Sequence, residues 1–225
     1  MKNYLSTLKR YCKVYINLYN DCKKSETNFI SVIFRGIFYR VKLKKTFLLH
    51  QNVTIRGIEN IETEGKLYVG INYVGFINHS DKTYLNINGK LKFNGNYSIG
   101  RGCRFDIGKN GHISIGKGGY IIANTTFIIM HKLTIGDNCA ISWDCQFLDE
   151  DFHEIQYLGK KTNQKSIEIG NNVWIGCGVK IYKGTFIPDN CVIASNSIVK
   201  GVFTCENTLI GGNPAKVIKE NIEWK

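Results

Sequence analysis

Aliphatic residues recur at every sixth position along the second half of the chain. An amphipathic helix would space its apolar residues by three and four, and a half-buried strand would alternate every second residue. A sustained period of six instead predicts a coil in which each side is one short strand followed by one corner. The series comprises Ile169, Ile175, Ile181, Ile187, Ile193 and Val199, with Ile135, Ile141 and Phe147, with Ile115, Ile121 and Phe127, and with Ile99 and Phe105.

A second repeat position, four residues after each aliphatic one, holds a small or compact side chain. Only such a side chain fits an inward-facing corner, and Gly, Asn and Asp beside it suit tight turns. We therefore predict an all-β fold in which residues 97 to 215 form a parallel β-helix of three-sided coils. The compact residues are Cys103, Thr125, Cys139, Cys145, Val173, Val179, Thr185, Cys191 and Ser197.

Stacked repeats need caps at both ends, and the flanking segments have suitable patterns. Residues 1–50 are basic and helix-compatible, and they are predicted to form an N-terminal cap. Residues 51–216 are assigned to the β-helix domain, with irregular early coils before residue 97 because the six-fold pattern is weak there. Residues 217–225 are predicted to form a short C-terminal cap helix.

The repeat is interrupted once, after Phe147, because the next clear hexad begins only at Ile169. The excess residues form a polar segment, residues 149–166, which is predicted to be an extended loop. A long loop leaving a regular coil is a common place for functional residues.

The composition narrows the cellular setting. No stretch is long and apolar enough for a membrane span or a signal peptide, which predicts a cytoplasmic protein. The eight cysteines form no CxxC pair and no zinc-like cluster, so we expect reduced thiols and no metal.

A net charge of +12 favours a polyanionic partner. Nucleic-acid binding is not expected, because no recognised motif accompanies the charge. The basic N-terminal segment with its apolar run, residues 29–38, is also a candidate for peripheral contact with an anionic membrane.

Two stretches, Ile169–Gly176 and Gly212–Ile218, resemble the hexapeptide-repeat acyltransferases. The resemblance is greatest to the galactoside/maltose O-acetyltransferase type and to relatives that acetylate bacterial surface polysaccharides. It implies a left-handed β-helix, a homotrimer with active sites between neighbouring prisms, and acetyl-CoA as co-substrate. The implied activity is transfer of acetyl to a hydroxyl of a sugar or polysaccharide acceptor.

The resemblance also implies roles for residues of the acceptor side. His153, in the extended loop, matches the family's catalytic base. Asn124 matches an Asn that lies across the subunit interface, near acceptor and thioester. Asp149 and Asp151 are candidates for orienting His153 or the sugar, although acidic loop residues are more often only solvated.

On the donor side, the resemblance places one Trp along the CoA cleft, two corner residues along the pantetheine arm, and lysines near the CoA phosphates. The chain departs from the family pattern at residues 200–207, which lack the usual Pro-rich linker and leave the nucleotide contacts open. The donor-side candidates are Trp174, Cys177, Ser195, Lys200, Lys216 and Lys219.

Two alternatives remain open at this point. One is N-acetylation of an amino sugar attached to a nucleotide, and the other is a catalytically silent β-helix that serves as a scaffold. The combination of His153, Asn124 and Trp174 argues against the scaffold. A carbonic anhydrase of this fold would need three His ligands, and no second His follows His153 at a few residues' distance.

Overall fold

The chain folds as two helices followed by a three-sided stack of short strands. The computed structural model describes residues 2–78, 80–156, 158 and 165–224, with side chains described from residue 12 onward. Helix α1 spans Lys2–Lys24 and helix α2 spans Phe29–Leu43. Asn28 caps α2, because its side-chain oxygen accepts a hydrogen bond from the backbone N–H of Ser31 at 3.0 Å. The predicted helical N-terminal cap is thereby confirmed.

Three sheets make up the prism, and within each sheet the strands pair in parallel with strands one coil away. The one exception is the last strand of the first sheet, which pairs antiparallel. This repeating order is typical of a left-handed β-helix. The strands are numbered in chain order. The first sheet contains β1 (Thr46–Leu49), β4 (Lys66–Val69), β7 (Tyr97–Ile99), β10 (Tyr120–Ile121), β13 (Ala140–Ile141), β16 (Trp174–Ile175), β19 (Val192–Ile193), β21 (Leu209–Gly212) and β22 (Ala215–Lys219).

The other two sheets complete the coils. The second sheet contains β2 (Val53–Arg56), β5 (Thr83–Ile87), β8 (Arg104–Ile107), β11 (Thr126–Ile129), β14 (Gln146–Leu148), β17 (Lys180–Tyr182) and β20 (Ile198–Val199). The third contains β3 (Ile61–Thr63), β6 (Lys90–Phe93), β9 (His112–Ile115), β12 (Lys132–Ile135), β15 (Ile167–Ile169) and β18 (Phe186–Ile187), and a short 3-10 helix, Ile58–Asn60, precedes β3.

The predicted inward positions form one continuous core. Phe105, Phe127 and Phe147 stack one coil apart, with successive ring centroids 4.4 and 4.5 Å apart. Cys103, Cys139, Cys145 and Cys191 are buried at the compact positions, as the repeat predicts. Burial raises the pKa of the Cys145 thiol to about 12, so this thiol stays protonated at neutral pH.

Two edges of the prism position the candidate site residues. The first edge is the corner where the chain passes from the first sheet to the second, and it includes residues 70–82, 100–103, 122–125, 142–145, 176–179 and 194–197. The second edge joins the second sheet to the third and includes residues 108–111, 130–131, 149–166 and 183–185. One coil takes 18 residues between Trp174 and its neighbour Val192, but 34 between Ala140 and Trp174 because residues 149–166 are inserted.

Two sequence-based expectations are wrong. The coils before residue 97 are not irregular, because β1 to β6 already pair in parallel and in order with the strands of the next coil. The chain also ends without the predicted C-terminal helix in the described residues. Instead, β22 turns back and pairs antiparallel with β21. This pairing occupies the open edge of the first sheet, where unpaired backbone groups would otherwise remain exposed.

Candidate active site

The extended loop, residues 149–166, begins at a fully buried carboxylate. Asp149 accepts hydrogen bonds from three consecutive backbone N–H groups of the preceding coil, those of Met130 at 2.7 Å, His131 at 2.8 Å and Lys132 at 2.9 Å. Hydrogen bonds to an ionised group are stronger than neutral ones. Asp149 therefore fastens the loop to the preceding coil. Its burial argues against the predicted contact with a sugar.

Glu150 ties the two ends of the loop together. Its carboxylate accepts hydrogen bonds from Lys165 Nζ at 2.9 Å and from the backbone N–H of Asp151 at 2.9 Å, and it lies 2.7 Å from His131 Nε2. The bond from Lys165, then that from His131, lowers the pKa of Glu150 to about 2. Glu150 thus stays charged at any working pH and holds the start of the loop to its end.

The catalytic candidate extends outward from this fastened base. Asp151 forms an ion pair with Lys183 at 2.6 Å, and its side chain is largely exposed, so it remains available to a ligand. Phe152 then adopts a left-handed backbone conformation with φ of 61°. His153 follows and is exposed to solvent. Residues 157 and 159–164 of the loop lie outside the described residues.

Asn124 lies on the first edge, in a stack of corners with a shared backbone shape. Gly102, Asn124, Asp144, Gly178 and Asn196 all have positive φ at the same point of successive corners. The backbone N–H of Asn124 donates to the carbonyl of Arg101 at 3.0 Å, and a Cβ added to Gly102 would collide with Asn124 Oδ1. The left-handed conformation favours Gly and Asn, which explains the residue types in this stack. The Asn124 side chain is exposed.

The donor-side candidates divide between two faces of the prism. Cys177 and Ser195 occupy consecutive corners of the first edge, with Cys177 Sγ 3.4 Å from Ser195 Oγ. Lys216 and Lys219 are exposed on β22 at the end of the first sheet. Lys200 instead follows β20 of the second sheet. Lys200 thus follows a different sheet from the one that carries Lys216 and Lys219, and the expected contact of these lysines with the CoA phosphates stays a prediction.

Trp174 projects outward from the first sheet and is 43% exposed. Its Nε1 donates to Ser142 Oγ at 3.4 Å, and its ring centroid lies 6.1 Å from that of Trp224. Trp224 is fixed in turn, because its Nε1 donates to the carbonyl of Asn172 at 2.9 Å. The C-terminal residues thus hold one side of Trp174 and leave the rest of the ring open.

A single chain does not bring all the candidates together. Asn124, Cys177 and Ser195 lie along the first edge, and Trp174 lies on the adjoining sheet. His153 projects from the second edge, one full side of the prism away. His153 and Asn124 therefore lie on two different edges of the prism.

Sequence reasoning missed a second long loop, residues 70–82, which also leaves the first edge. Phe76 of this loop contacts Trp143, with ring centroids 5.3 Å apart at an interplanar angle of 61°. Arg101 is 3% exposed and fastens the loop, since its guanidinium donates to the carbonyls of Gly70 and Asn78. The only signal in the sequence was the length of this coil, 30 residues between Leu67 and Tyr97.

Metal clusters and membrane-spanning helices are both absent from the described residues. Within that part of the chain, no group of three or more His, Cys, Asp or Glu side chains is placed to hold a metal ion. None of its helices combines the length and apolar character that crossing a bilayer requires.

Comparison with known proteins adds three likenesses, and no family model matches the sequence. The chain is 40% identical over 210 residues to an uncharacterised 24.8 kDa protein in the cps region of Klebsiella pneumoniae, covering 92% of this chain and 94% of that protein. It is 36% identical over 96 residues to the polysialic acid O-acetyltransferase of Neisseria meningitidis, covering 41% of this chain and 45% of that enzyme. A solved galactoside acetyltransferase in complex with coenzyme A shares 34% identity, with a TM-score of 0.43 over 53% of this chain and 59% of that one.

Proposed function

The chain belongs to the hexapeptide-repeat acetyltransferase family, and from that premise we propose that it transfers acetyl from acetyl-CoA to a sugar hydroxyl. The acceptor we propose is a bacterial surface polysaccharide or its precursor. Support comes from the relative in a capsular polysaccharide (cps) region, which matches nearly the whole chain, and from the partial match to an O-acetyltransferase of polysialic acid. The polysialic acid enzyme is matched over less than half of its own length, so the activity itself rests on the site.

The observation that carries the proposal is the fastened loop that presents His153. A loop that only connects two strands needs no buried carboxylate with three hydrogen bonds at its base. Here Asp149 and Glu150 fix both ends of the insertion, and the exposed His153 follows within three residues. Fixing the base of the loop limits the positions that His153 can reach, which is what a general base requires.

In the proposed mechanism His153 removes the proton from the acceptor hydroxyl as its oxygen attacks the thioester carbonyl carbon. An imidazole is suited to this step because its unperturbed pKa lies near 6.5. Negative charge develops on the carbonyl oxygen and is stabilised by a backbone N–H of a first-edge corner. The carbon–sulfur bond then breaks, the proton passes from His153 to the departing CoA thiolate, and the acetyl ester remains on the sugar.

The residues of the first edge fit an acetyl-CoA donor. Trp174 offers an open aromatic face beside the corners of Cys177 and Ser195, which run along one line and suit an extended pantetheine arm. Lys216 and Lys219 supply positive charge near the end of that line. No acyl-enzyme is needed, and Cys145 cannot form one because its thiol is buried with a raised pKa.

We propose that the active unit is a homotrimer in the cytoplasm. Each site would take His153 from the second edge of one chain and Asn124 from the first edge of its neighbour. The placement of these residues on separate edges supports this arrangement, since neither edge alone contains both. The free cysteines fit a reducing compartment, where the thioester substrate also has to be used.

The test of the activity is a panel of acceptors incubated with acetyl-CoA, with release of free thiol as the readout. The panel should contain neutral oligosaccharides, sialic acid oligomers and nucleotide-linked amino sugars. We expect thiol release with a hydroxyl acceptor. Release only with amino sugars would redirect the proposal to N-acetylation. No release above background, together with no binding of CoA, would favour the scaffold.

His153→Ala is expected to lower kcat by about a hundred- to ten-thousand-fold, the usual contribution of a positioned base. The affinity for acetyl-CoA should change little, because the donor binds along the other edge. His112→Ala is the matched control, because it removes a His from the third sheet, outside the loop. Retention of most activity by His153→Ala, or a stable acetyl-cysteine found by mass spectrometry, would contradict the mechanism.

A further inference from the structure

Helix α2 is apolar on two opposite faces. On one face, Val32 packs against α1 and Ile71, Gly36 lies against β1, and Tyr39 and Leu43 pack against the prism core. The opposite face is open and carries five large apolar side chains, each between 55% and 79% exposed. These residues, named here the α2 outer stripe, are Ile30, Phe34, Ile37, Phe38 and Val41.

The geometry of the α2 outer stripe is that of a helix lying flat on a surface. At 100° per residue its five members fall within a sector of about 100°. Arg40 lies on one side of this sector and Lys42 on the other, and both are exposed. Lys42 Nζ lies 5.6 Å from the centre of the Phe38 ring. An apolar stripe bordered by basic side chains is the pattern of helices that bind at the lipid–water interface.

The charge of the protein is concentrated in the same region. Residues 1–45 contain eleven Lys and Arg against two acidic residues, so this fifth of the chain carries +9 of the net charge of +12. A second copy of the same surface would bring these positive charges together, which disfavours self-association through the α2 outer stripe. An anionic lipid surface satisfies both the apolar stripe and the charge.

We propose that the α2 outer stripe and its basic border bind an anionic lipid bilayer. The stripe enters the interface between head groups and acyl chains, while Arg40, Lys42 and Lys44 contact the anionic head groups. This contact does not depend on acetyl transfer. Combined with the proposed function, it would hold the enzyme where lipid-carried glycans are accessible.

Flotation of the full chain with vesicles tests the proposal. One set of vesicles contains phosphatidylglycerol and phosphatidylcholine in equal parts, and the other contains phosphatidylcholine alone. Phe34→Glu and Ile37→Glu remove stripe residues that make no core contact, and each should lower the partition coefficient by about tenfold or more. Val202→Glu is the control, because Val202 is similarly exposed but lies at the other end of the prism.

We expect the wild type and Val202→Glu to float with anionic vesicles and the stripe variants to remain with the free protein. Arg40→Gln combined with Lys42→Gln should weaken binding, and added salt should remove most of that difference. Equal recovery of wild type and stripe variants would overturn the proposal. So would a stripe substitution that breaks a larger assembly in light scattering without any effect on flotation, because the stripe would then bind a second copy.

A second inference concerns the contact between Phe76 and Trp143. Residues 70–82 leave the first edge at the second coil, and Trp143 belongs to the corner three coils further on. At about 4.8 Å per strand, the loop therefore runs roughly 14 Å along the first edge. On the way it passes the corner that carries Asn124. The position of Trp143, between the corners of Asn124 and Cys177, places this aromatic pair where the proposed acceptor and donor sides meet.

The aromatic pair is open to solvent on a firmly held support. Phe76 is 55% exposed and Trp143 is 38% exposed. Below them the Arg101 guanidinium donates to the carbonyl of Ser25 at 2.6 Å, and to those of Gly70 and Asn78. This ties the loop to the residue that follows α1 as well as to the prism. Two exposed aromatic rings in contact on a fixed base form a contiguous apolar patch, and such patches often mark binding sites.

We infer that Phe76 and Trp143 form a stacking platform for a sugar ring of the acceptor, an inference that rests on the proposed function. The C–H bonds on one face of a pyranose carry partial positive charge, which the negative face of an aromatic ring attracts. The platform would bind a ring near the reacting hydroxyl and so select the acceptor.

The test measures acceptor binding and transfer separately, with the neutral oligosaccharides and sialic acid oligomers named above. Trp143→Ala and Phe76→Ala should raise the acceptor KM and Kd by about tenfold or more, leaving the KM for acetyl-CoA unchanged. Phe186→Ala, a similarly exposed aromatic on the third sheet, is the control. Platform variants that transfer acetyl with the same acceptor KM as the wild type would refute the platform and leave the proposed function standing. Failure of every oligosaccharide to bind the wild type would also refute it, whereas binding without transfer would count against the proposed function only.

Discussion

The first and second edges of the prism arise from the same repeat and differ in what holds them. Four-residue corners stack along most of the first edge, with Gly, Asn or Asp at the left-handed position and backbone hydrogen bonds to the next coil. The second edge opens at residues 149–166, and buried or paired carboxylates secure the loop there. One edge is therefore shaped by backbone conformation, and the other by charge.

This difference matches the two tasks of an acetyl transferase. A line of fixed corners is suited to bind an extended donor, because its backbone groups cannot move. A general base has to extend away from the regular surface toward the acceptor and still be held in position. In the proposed mechanism the second edge does this with Asp149 and Glu150, which precede His153 in the chain and hold the start of the loop.

The largest structural effect is expected from Asp149→Ala. It leaves three partly buried backbone N–H groups without their charged acceptor, which should lower the free energy of unfolding by about 3 kcal/mol. Asp151→Ala removes an exposed ion pair and should cost less than about 1 kcal/mol. Chemical denaturation measures the free energy of unfolding of both variants. A similar decrease in the two would show that the loop is not held by Asp149.

A smaller effect is expected at the first edge from Gly178→Ala. Gly178 has φ of +68°, and an added Cβ would collide with Asn196 Oδ1 in the next corner. We expect a loss of about 1–3 kcal/mol, measured as a lower Tm. Gly75→Ala, in an open part of the 70–82 loop, is the control and should change Tm little. An unchanged Tm for Gly178→Ala would contradict the view that backbone shape holds this edge.

The smallest effect is expected from Glu150→Gln, and it should depend on pH. In the folded state the pKa of Glu150 falls from 4.5 to about 2, so the charged form is favoured by folding. Its stabilisation is therefore complete above about pH 4.5 and is lost as the pH falls toward about 2. The difference in Tm between wild type and variant should follow that course. A difference in Tm that does not depend on pH would refute the charge-based account of the loop. The matched control is Glu168→Gln, which removes an exposed ion pair with Lys132.

The sequence alone was sufficient for the repeat and its corners, because a period of six reports directly which residues point inward. It was not sufficient for contacts made by the long loops that are inserted between successive strands. The fastening of the 70–82 loop by Arg101 and the burial of Asp149 involve partners 17 to 76 residues away, at places where a long loop interrupts the period. The antiparallel return of β22 was likewise missed, because the open edge that it covers exists only once the sheet has formed.

The most direct test of the shared site mixes two inactive variants. His153→Ala and Asn124→Ala, each impaired alone, are co-expressed so that they assemble at random. If each site takes His153 from one chain and Asn124 from its neighbour, about a quarter of the sites contain both residues, and about a quarter of wild-type activity returns. A mixed preparation no more active than the separate variants would contradict the account, because both residues would then belong to a single chain's site or to no common site.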